Sequence, residues 1–268
     1  MTQEKFLQRL VKEDACLITV QATRGSAPRE KGAWMAVFSD AIVGTICGGH
    51  LELTATAEAH RRLAGGGGEP TLQYALGPAL GQCCGGQVQL SFEAVSVADS
   101  AALRQRLAPR LAPVALFGAG HVGHALIEVF SHLPLAVSWI DSRDEVFAAQ
   151  LPTNVNCQYS DPVQAAVPLL AGGSHVLIMS FSHAEDLDVV AACLSRQRRQ
   201  ADLPYIGLIG SHSKWATFRH RLEARGFTEQ ELAHVTCPIG VAGVAGKEPE
   251  VIAVAVAAQI LQTLGSGR

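Results

Sequence analysis

The chain has 268 residues, 48% of them hydrophobic, enough for one large domain or two of ordinary size. Its formal charge is only −3 and no basic stripe runs along it, which argues against nucleic acid or an anionic membrane surface as partner. Seven cysteines, an odd count with no Cys-x-x-Cys spacing, speak for reduced thiols in a cytoplasmic protein and against a disulfide framework or a zinc site.

The opening stretch, Met1 to Asp14, is charged and amphipathic and lacks the apolar core of a signal peptide; Phe6, Leu7, Leu10 and Val11 recur at helical spacing. Ala15 to Val20 is an apolar, β-branched run that predicts a buried strand. It leads into Thr23-Arg24-Gly25-Ser26-Ala27-Pro28-Arg29-Glu30-Lys31-Gly32, a turn-rich loop whose Arg24, Arg29 and Lys31 are close enough to meet one phosphate or carboxylate. Ala33–Phe38 and Ala41–Ile46 predict a hairpin, and the second strand runs into Cys47-Gly48-Gly49-His50. Leu51, Ala55, Ala59 and Leu63 then mark one face of a helix, whose first amides the glycines leave free for an anion.

Gly65 to Gly68 predict a flexible link. Thr71–Leu76 and Gln87–Val95 form a second predicted pair of strands, with Val88, Leu90 and Phe92 on one face. Between them lies Gly81-Gln82-Cys83-Cys84-Gly85-Gly86, two thiols bracketed by glycines, which brings soft sulfur to a point of unusual backbone freedom. Residues 1–96 are thus expected as a small α+β domain, 97–112 as a helical linker carrying Leu103 and Leu107, and 113–268 as a second domain.

That second part opens with Val114 to Phe117, then Gly118-Ala119-Gly120-His121-Val122-Gly123 and a helical pattern. Strand, spaced glycines and helix in this order make a dinucleotide fingerprint, and Asp141 ends the next strand about 20 residues on, where that fold binds a ribose. Strands and helices keep alternating through Phe218–Leu222, so the fold class is α/β: a Rossmann-like doubly wound parallel sheet behind the smaller α+β domain. Ligands of such sheets sit at the carboxyl ends of the strands, which selects Gly118–Gly123, Asp141–Arg143, Phe181–Asp186 and Gly210–Lys214. Ser211 and Lys214 in the last of these predict a phosphate seat at a helix start. Glu248-Pro249-Glu250 begins a last helix through Leu264; its longest apolar run, Val251–Ala258, is far short of the roughly 20 residues of a membrane span. His121 and His183, at carboxyl-end loops, are the histidines best placed for chemistry, with His50 next.

Several of these stretches together resemble the xanthine dehydrogenase accessory proteins of XdhC type: Thr23–Arg29 with Gly32, Cys47-Gly48-Gly49 leading to Glu52, Gly81–Gly86, Gly118–Val122, Asp141-Ser142-Arg143, Ile206–Ser211 with Lys214, and Cys237–Gly240 before Pro249-Glu250. The resemblance implies a non-enzymatic chaperone that binds molybdenum cofactor, holds it while a cysteine desulfurase sulfurates it, and inserts it into apo-xanthine dehydrogenase. It implies a cofactor-handling first domain, contact with molybdenum cofactor biosynthesis proteins, and a homodimer. Cys84, with Cys83 assisting, is then the expected contact to molybdenum; Gly85, Gly86, Arg24, Ser26, Arg29, Cys47, Gly48 and Gly49 are expected around the cofactor, the arginines or glycine-turn amides taking its terminal phosphate. Gly118, Gly120, His121, Gly123, Asp141, Ser211 and Lys214 are expected on NAD(P) or another nucleotide in the second domain. Two other readings compete: an NAD(P)-dependent oxidoreductase, argued from fold analogy, and a structural adaptor whose thiols are mere packing.

Overall fold

The structure, a computed structural model, describes residues 2–26, 29–76 and 86–265. The chain divides into two compact units, Met1–Ala108 and Pro109–Arg268.

The first unit is a five-stranded antiparallel sheet with helices on both faces. Helix α1 (Thr2–Leu10) is followed by β1 (Ala15–Arg24), β2 (Trp34–Val37) and β3 (Ile42–Gly44), then α2 (His50–Leu63), β4 (Thr71–Ala75), β5 (Gln87–Val95) and α3 (Ser100–Arg106). The sheet order is β3-β2-β1-β5-β4. Because strand side chains alternate, β1 serves two cores. Cys16, Ile18 and Val20 join Leu51, Ala55 and Ala59 of α2, whereas Ala15 and Leu17 join Phe6, Leu7 and Leu10 of α1. Val88, Leu90 and Phe92 of β5 share the α2 side, as the alternation predicted. Both hairpin strands are shorter than expected. Within the stretch expected as a helical linker, α3 packs on this unit: Leu103 is buried beside Phe6 and Leu10.

The second unit holds β6 (Ala112–Phe117), α4 (His121–Phe130), β7 (Leu135–Asp141), β8 (Val155–Tyr159), β9 (His175–Ile178), α5 (His183–Gln200), β10 (Tyr205–Leu208), α6 (His212–Ala224), α7 (Glu229–Leu232), β11 (Val235–Thr236) and α8 (Pro249–Gly265). All six strands are parallel, in the order β11-β10-β9-β6-β7-β8. This is the doubly wound dinucleotide-fold order, with its switch point between β6 and β9. One face buries Phe117, Val176 and Ile178 under Leu187, Val190 and Phe218. The other buries Leu116, Val137 and Leu177 under Leu126 and Phe130 of α4 and Val256 and Ile260 of α8. Fully burying a side chain of this size contributes about 1.5–3 kcal/mol, so both layers are firmly seated. The run from Val251 is a helix, and no helix among the described residues is long and apolar enough to cross a membrane.

Candidate functional site

The register of the first sheet decides where its loops meet. Arg24, at the end of β1, pairs with Gln87 at the start of β5; Gln87 also pairs with Ala75 at the end of β4, and Gly44 ends β3 beside Met35. The exits of β1, β3 and β4 and the entry of β5 therefore lie at one end of the sheet. Gly86 packs so closely here that a Cβ on it would stand 2.4 Å from the Ser26 carbonyl oxygen and 2.7 Å from that of Arg24, and its own oxygen accepts from the Leu76 amide. Arg24, Ser26 and Gly86 are thus brought together as one backbone cluster. Cys83, Cys84 and Gly85 lie outside the described residues.

Arg24, Arg29 and Lys31 are exposed and make no ion pair among the described residues, so three cations face solvent at this end. Arg29 also lines a cleft of about 290 Å³ with Gly32, Ala33, Gly44 and Thr45. A larger cleft, about 490 Å³, opens at the opposite end of the sheet beside Ala15, Cys16 and Val95. Size does not make it the site: its Arg62 is held by Glu58 and the Glu69 carbonyl, and burial pushes the Cys16 thiol up to about 11, where it is protonated and unreactive.

The Cys47-Gly48-Gly49 turn behaves differently from the expectation of a free anion seat. Gly48 and Gly49 take positive φ, and the turn folds back on Glu52, whose Oε1 accepts from the amides of Ile46 (2.9 Å) and Cys47 (3.1 Å) and from the Thr45 hydroxyl. Burial pushes Glu52 upward, but these bonds together with the Gly48 amide outweigh it and hold its carboxyl below the usual range. The anion in this turn is the protein's own. Cys47 is half-buried against the α2 core, and His50 is exposed at the start of α2.

In the second unit the three glycines after β6 have separate tasks. A Cβ on Gly118 (φ +113°) would stand 2.0 Å from the Met179 carbonyl oxygen, and one on Gly123 would stand 2.3 Å from that of Gly118. The first lets β6 pass close to β9; the last lets α4 lie against the turn. A Cβ on Gly120 would meet nothing within 4 Å, so its bareness serves no internal contact and leaves the backbone open to a ligand. Gly120 caps α4 without a side-chain bond, and His121 is exposed at its first turn.

Asp141 does not face a ribose. Its carboxylate is 2% exposed and is bonded by the Ala119 amide (2.7 Å) and by the Arg143 amide, Nε and Nη2, each at 2.9 Å. Burial alone would raise its pKa; the Arg143 side chain, with the Ala119 and Arg143 amides, outweighs burial and lowers it. The expected phosphate seat at Ser211 and Lys214 is also turned inward. Ser211 caps α6 by accepting from the Lys214 amide, while Lys214 Nζ donates to Asp186 Oδ2 and to the Ile209 carbonyl, both at 2.7 Å. Asp186 Oδ1 in turn accepts from the Ser180 amide at 2.7 Å. This buried pair ties the loop after β9 to the loop after β10, and the Ser180 hydroxyl beside it is buried without a partner among the described residues. Cys237, directly after β11, is raised by burial and so remains a thiol, although the Lys214 charge works the other way. Asp186, Arg143, Phe181 and Glu185 are the residues with structural roles here that their positions in the chain did not foretell, since their partners lie in other loops.

Residues 114–260 match the family described as the XdhC Rossmann domain, and residues 10–75 match the XdhC and CoxI family. Among curated proteins the chain is similar to the uncharacterized protein YqeB of Escherichia coli (strain K12), 26% identical over 253 residues, which is 90% of this chain and 42% of YqeB. The chain therefore spans less than half the length of that relative. A crystal structure from Bacillus halodurans, named a xanthine dehydrogenase, superposes over 100% of this chain and 97% of its own with a TM-score of 0.79 at 19% identity, a likeness of fold.

Proposed function

Since the chain belongs to the XdhC family, we propose that it is a maturation factor for xanthine dehydrogenase and not itself an enzyme. In this reading its first unit binds molybdenum cofactor as cargo, holds it during sulfuration by a cysteine desulfurase, and passes it to the apoenzyme. The observation that carries the proposal is the convergence of the exits of β1 and β4 and the entry of β5 on one sheet end, where three exposed cations stand without ion-pair partners among the described residues.

The arrangement fits the two ends of such a cargo unequally. Arg24 and Arg29 suit a terminal phosphate, because guanidinium forks bond phosphate oxygens in pairs. The Cys47 and Gly48 amides do not serve that purpose, being held by Glu52. Leu76 and Gly86, the described residues on either side of the segment that carries Cys83 and Cys84, are hydrogen-bonded to each other at the sheet end that bears Arg24. Thiolate is a soft ligand suited to molybdenum, and nearby positive charge favours the thiolate form.

The test is purification from cells that make molybdenum cofactor, with pterin fluorescence and metal analysis of the product. Cys83→Ala/Cys84→Ala should lose bound molybdenum at least tenfold, and Arg24→Gln/Arg29→Gln should weaken retention in a salt-dependent manner. Full stoichiometry in the double cysteine variant would refute the metal contact and favour the adaptor reading.

A further inference from the structure

The second unit has the strand order and the glycine turn of a dinucleotide site, yet the acid at the end of β7 does not fit the task such a site gives it. A carboxylate offers about four lone-pair positions. Asp141 has all of them filled by N–H groups of Ala119 and Arg143. A ribose diol could bond it only by displacing the amide of the glycine turn or the guanidinium that is clamped on both oxygens.

The open hydrogen-bonding capacity at this place belongs to Arg143. A guanidinium has five N–H bonds, and the two that Asp141 takes, from Nε and Nη2, leave three without a partner among the described residues. The side chain is 36% exposed, fixed below by the carboxylate and on one face by the Phe181 ring, 4.4 Å from the guanidinium carbon. Ser142 Oγ donates to Glu185 Oε1 at 2.7 Å. Both contacts join the loop after β7 to the loop after β9, and β6 with its glycine turn lies between those strands in the sheet. Arg143 therefore stands beside the Gly118–Gly120 turn, to which Asp141 links it, and next to the helix start that lacks a side-chain cap, where folds of this strand order have their ligand crevice.

We propose that this crevice takes a nucleotide carrying a phosphomonoester on its ribose, that Arg143 bonds that phosphate, and that Asp141 is a positioning residue beneath it. A nucleotide with a free diol at that place finds only a saturated acid and is discriminated against. The inference does not rest on the cofactor-maturation reading, which concerns the other unit, and the two fail separately.

Titration of the full-length protein with 2′,5′-ADP against 5′-AMP, and with NADPH against NADH, followed by ligand fluorescence and calorimetry, tests it. The phosphate-bearing member of each pair should bind at least tenfold more tightly. In Arg143→Gln the gap should shrink to under twofold; Arg143→Lys should keep part of it, since charge remains but the planar fork is lost. Asp141→Asn should lower affinity for 2′,5′-ADP several-fold without creating preference for 5′-AMP. Equal or better binding of the diol ligands, absence of binding by the wild-type protein, or an unchanged gap in a folded Arg143→Gln variant would each overturn the proposal.

Discussion

Replacing Gly118 by alanine tests whether the glycine turn is built as described. The new Cβ would lie 2.0 Å from the Met179 carbonyl oxygen and 2.5 Å from its carbon, whereas ordinary contact begins near 3.4 Å. The carbonyl would have to retreat by about 1.4 Å, but it sits just past β9 on a residue whose amide donates to Phe117 at 2.8 Å. Retreat by that distance pulls on the strand pairing itself. Holding a non-glycine residue at φ +113° costs about 1–3 kcal/mol, and overpacking a rigid neighbour adds about 1–3 kcal/mol. A loss near 4 kcal/mol lowers the melting temperature of a unit of this size by roughly 8–16 °C. Gly120→Ala is the control: with φ −82° and no atom within 4 Å, it should change stability by less than about 1 kcal/mol. Calorimetry of the two variants reads the contrast directly. Equal melting of Gly118→Ala and wild type, or equal damage from both variants, would refute the assignment of separate tasks to the glycines.

Lys214→Met leaves Asp186 charged and buried with one amide donor, and should destabilise by about 3–5 kcal/mol in urea titration; Lys214→Met/Asp186→Leu should recover most of the loss. Asp141 has a lowered folded pKa, so its stabilisation is complete above the unfolded carboxyl value and disappears as pH falls through the folded one. Melting temperature should therefore drop below about pH 4 in wild type, and this component should be missing in Asp141→Asn. Burial pushes Cys16 up to about 11 and Cys193 up to about 12, so at pH 8 no more than about one Cys16 in a thousand is thiolate. Alkylation of the folded protein followed by peptide mapping should leave both unlabelled, and rapid labelling of either would show that its core is open.

What could be read in the sequence was what repeats over short distances. The alternation of Val88, Leu90 and Phe92, the four-residue spacing of Leu51, Ala55 and Ala59, and the strand-glycine-helix order at Gly118 are local patterns, and the fold follows them. Strand β11 escaped because Val235-Thr236 is too short to show a period. Strands β2 and β3 were legible but read too long, because apolar flanks extend past the paired residues. At the sites, residue types were legible and directions were not. Lys214 looks like a phosphate ligand until Asp186, 28 residues away in the chain, is found holding it. Asp141 looks like a ribose ligand until Arg143 is found folded back over it, a turn of backbone that spacing alone does not reveal. At Glu52 a signal is present, since an acid at the third position of a helix often bonds back to preceding amides, yet the glycines before it read as a free anion seat.

The loops at the carboxyl edge of the second sheet are not independent. Ser142 and Arg143 grip Glu185 and Phe181, and Asp186, next along the chain, grips Lys214, so three successive crossings are fastened in series. Local opening of one should drag its neighbours with it, and amide protons from Ala119 to Lys214 at this rim should exchange with solvent as a single cooperative block. A molecule that loosened Arg143 from Phe181 would then be felt at Lys214, three strands away, without touching it.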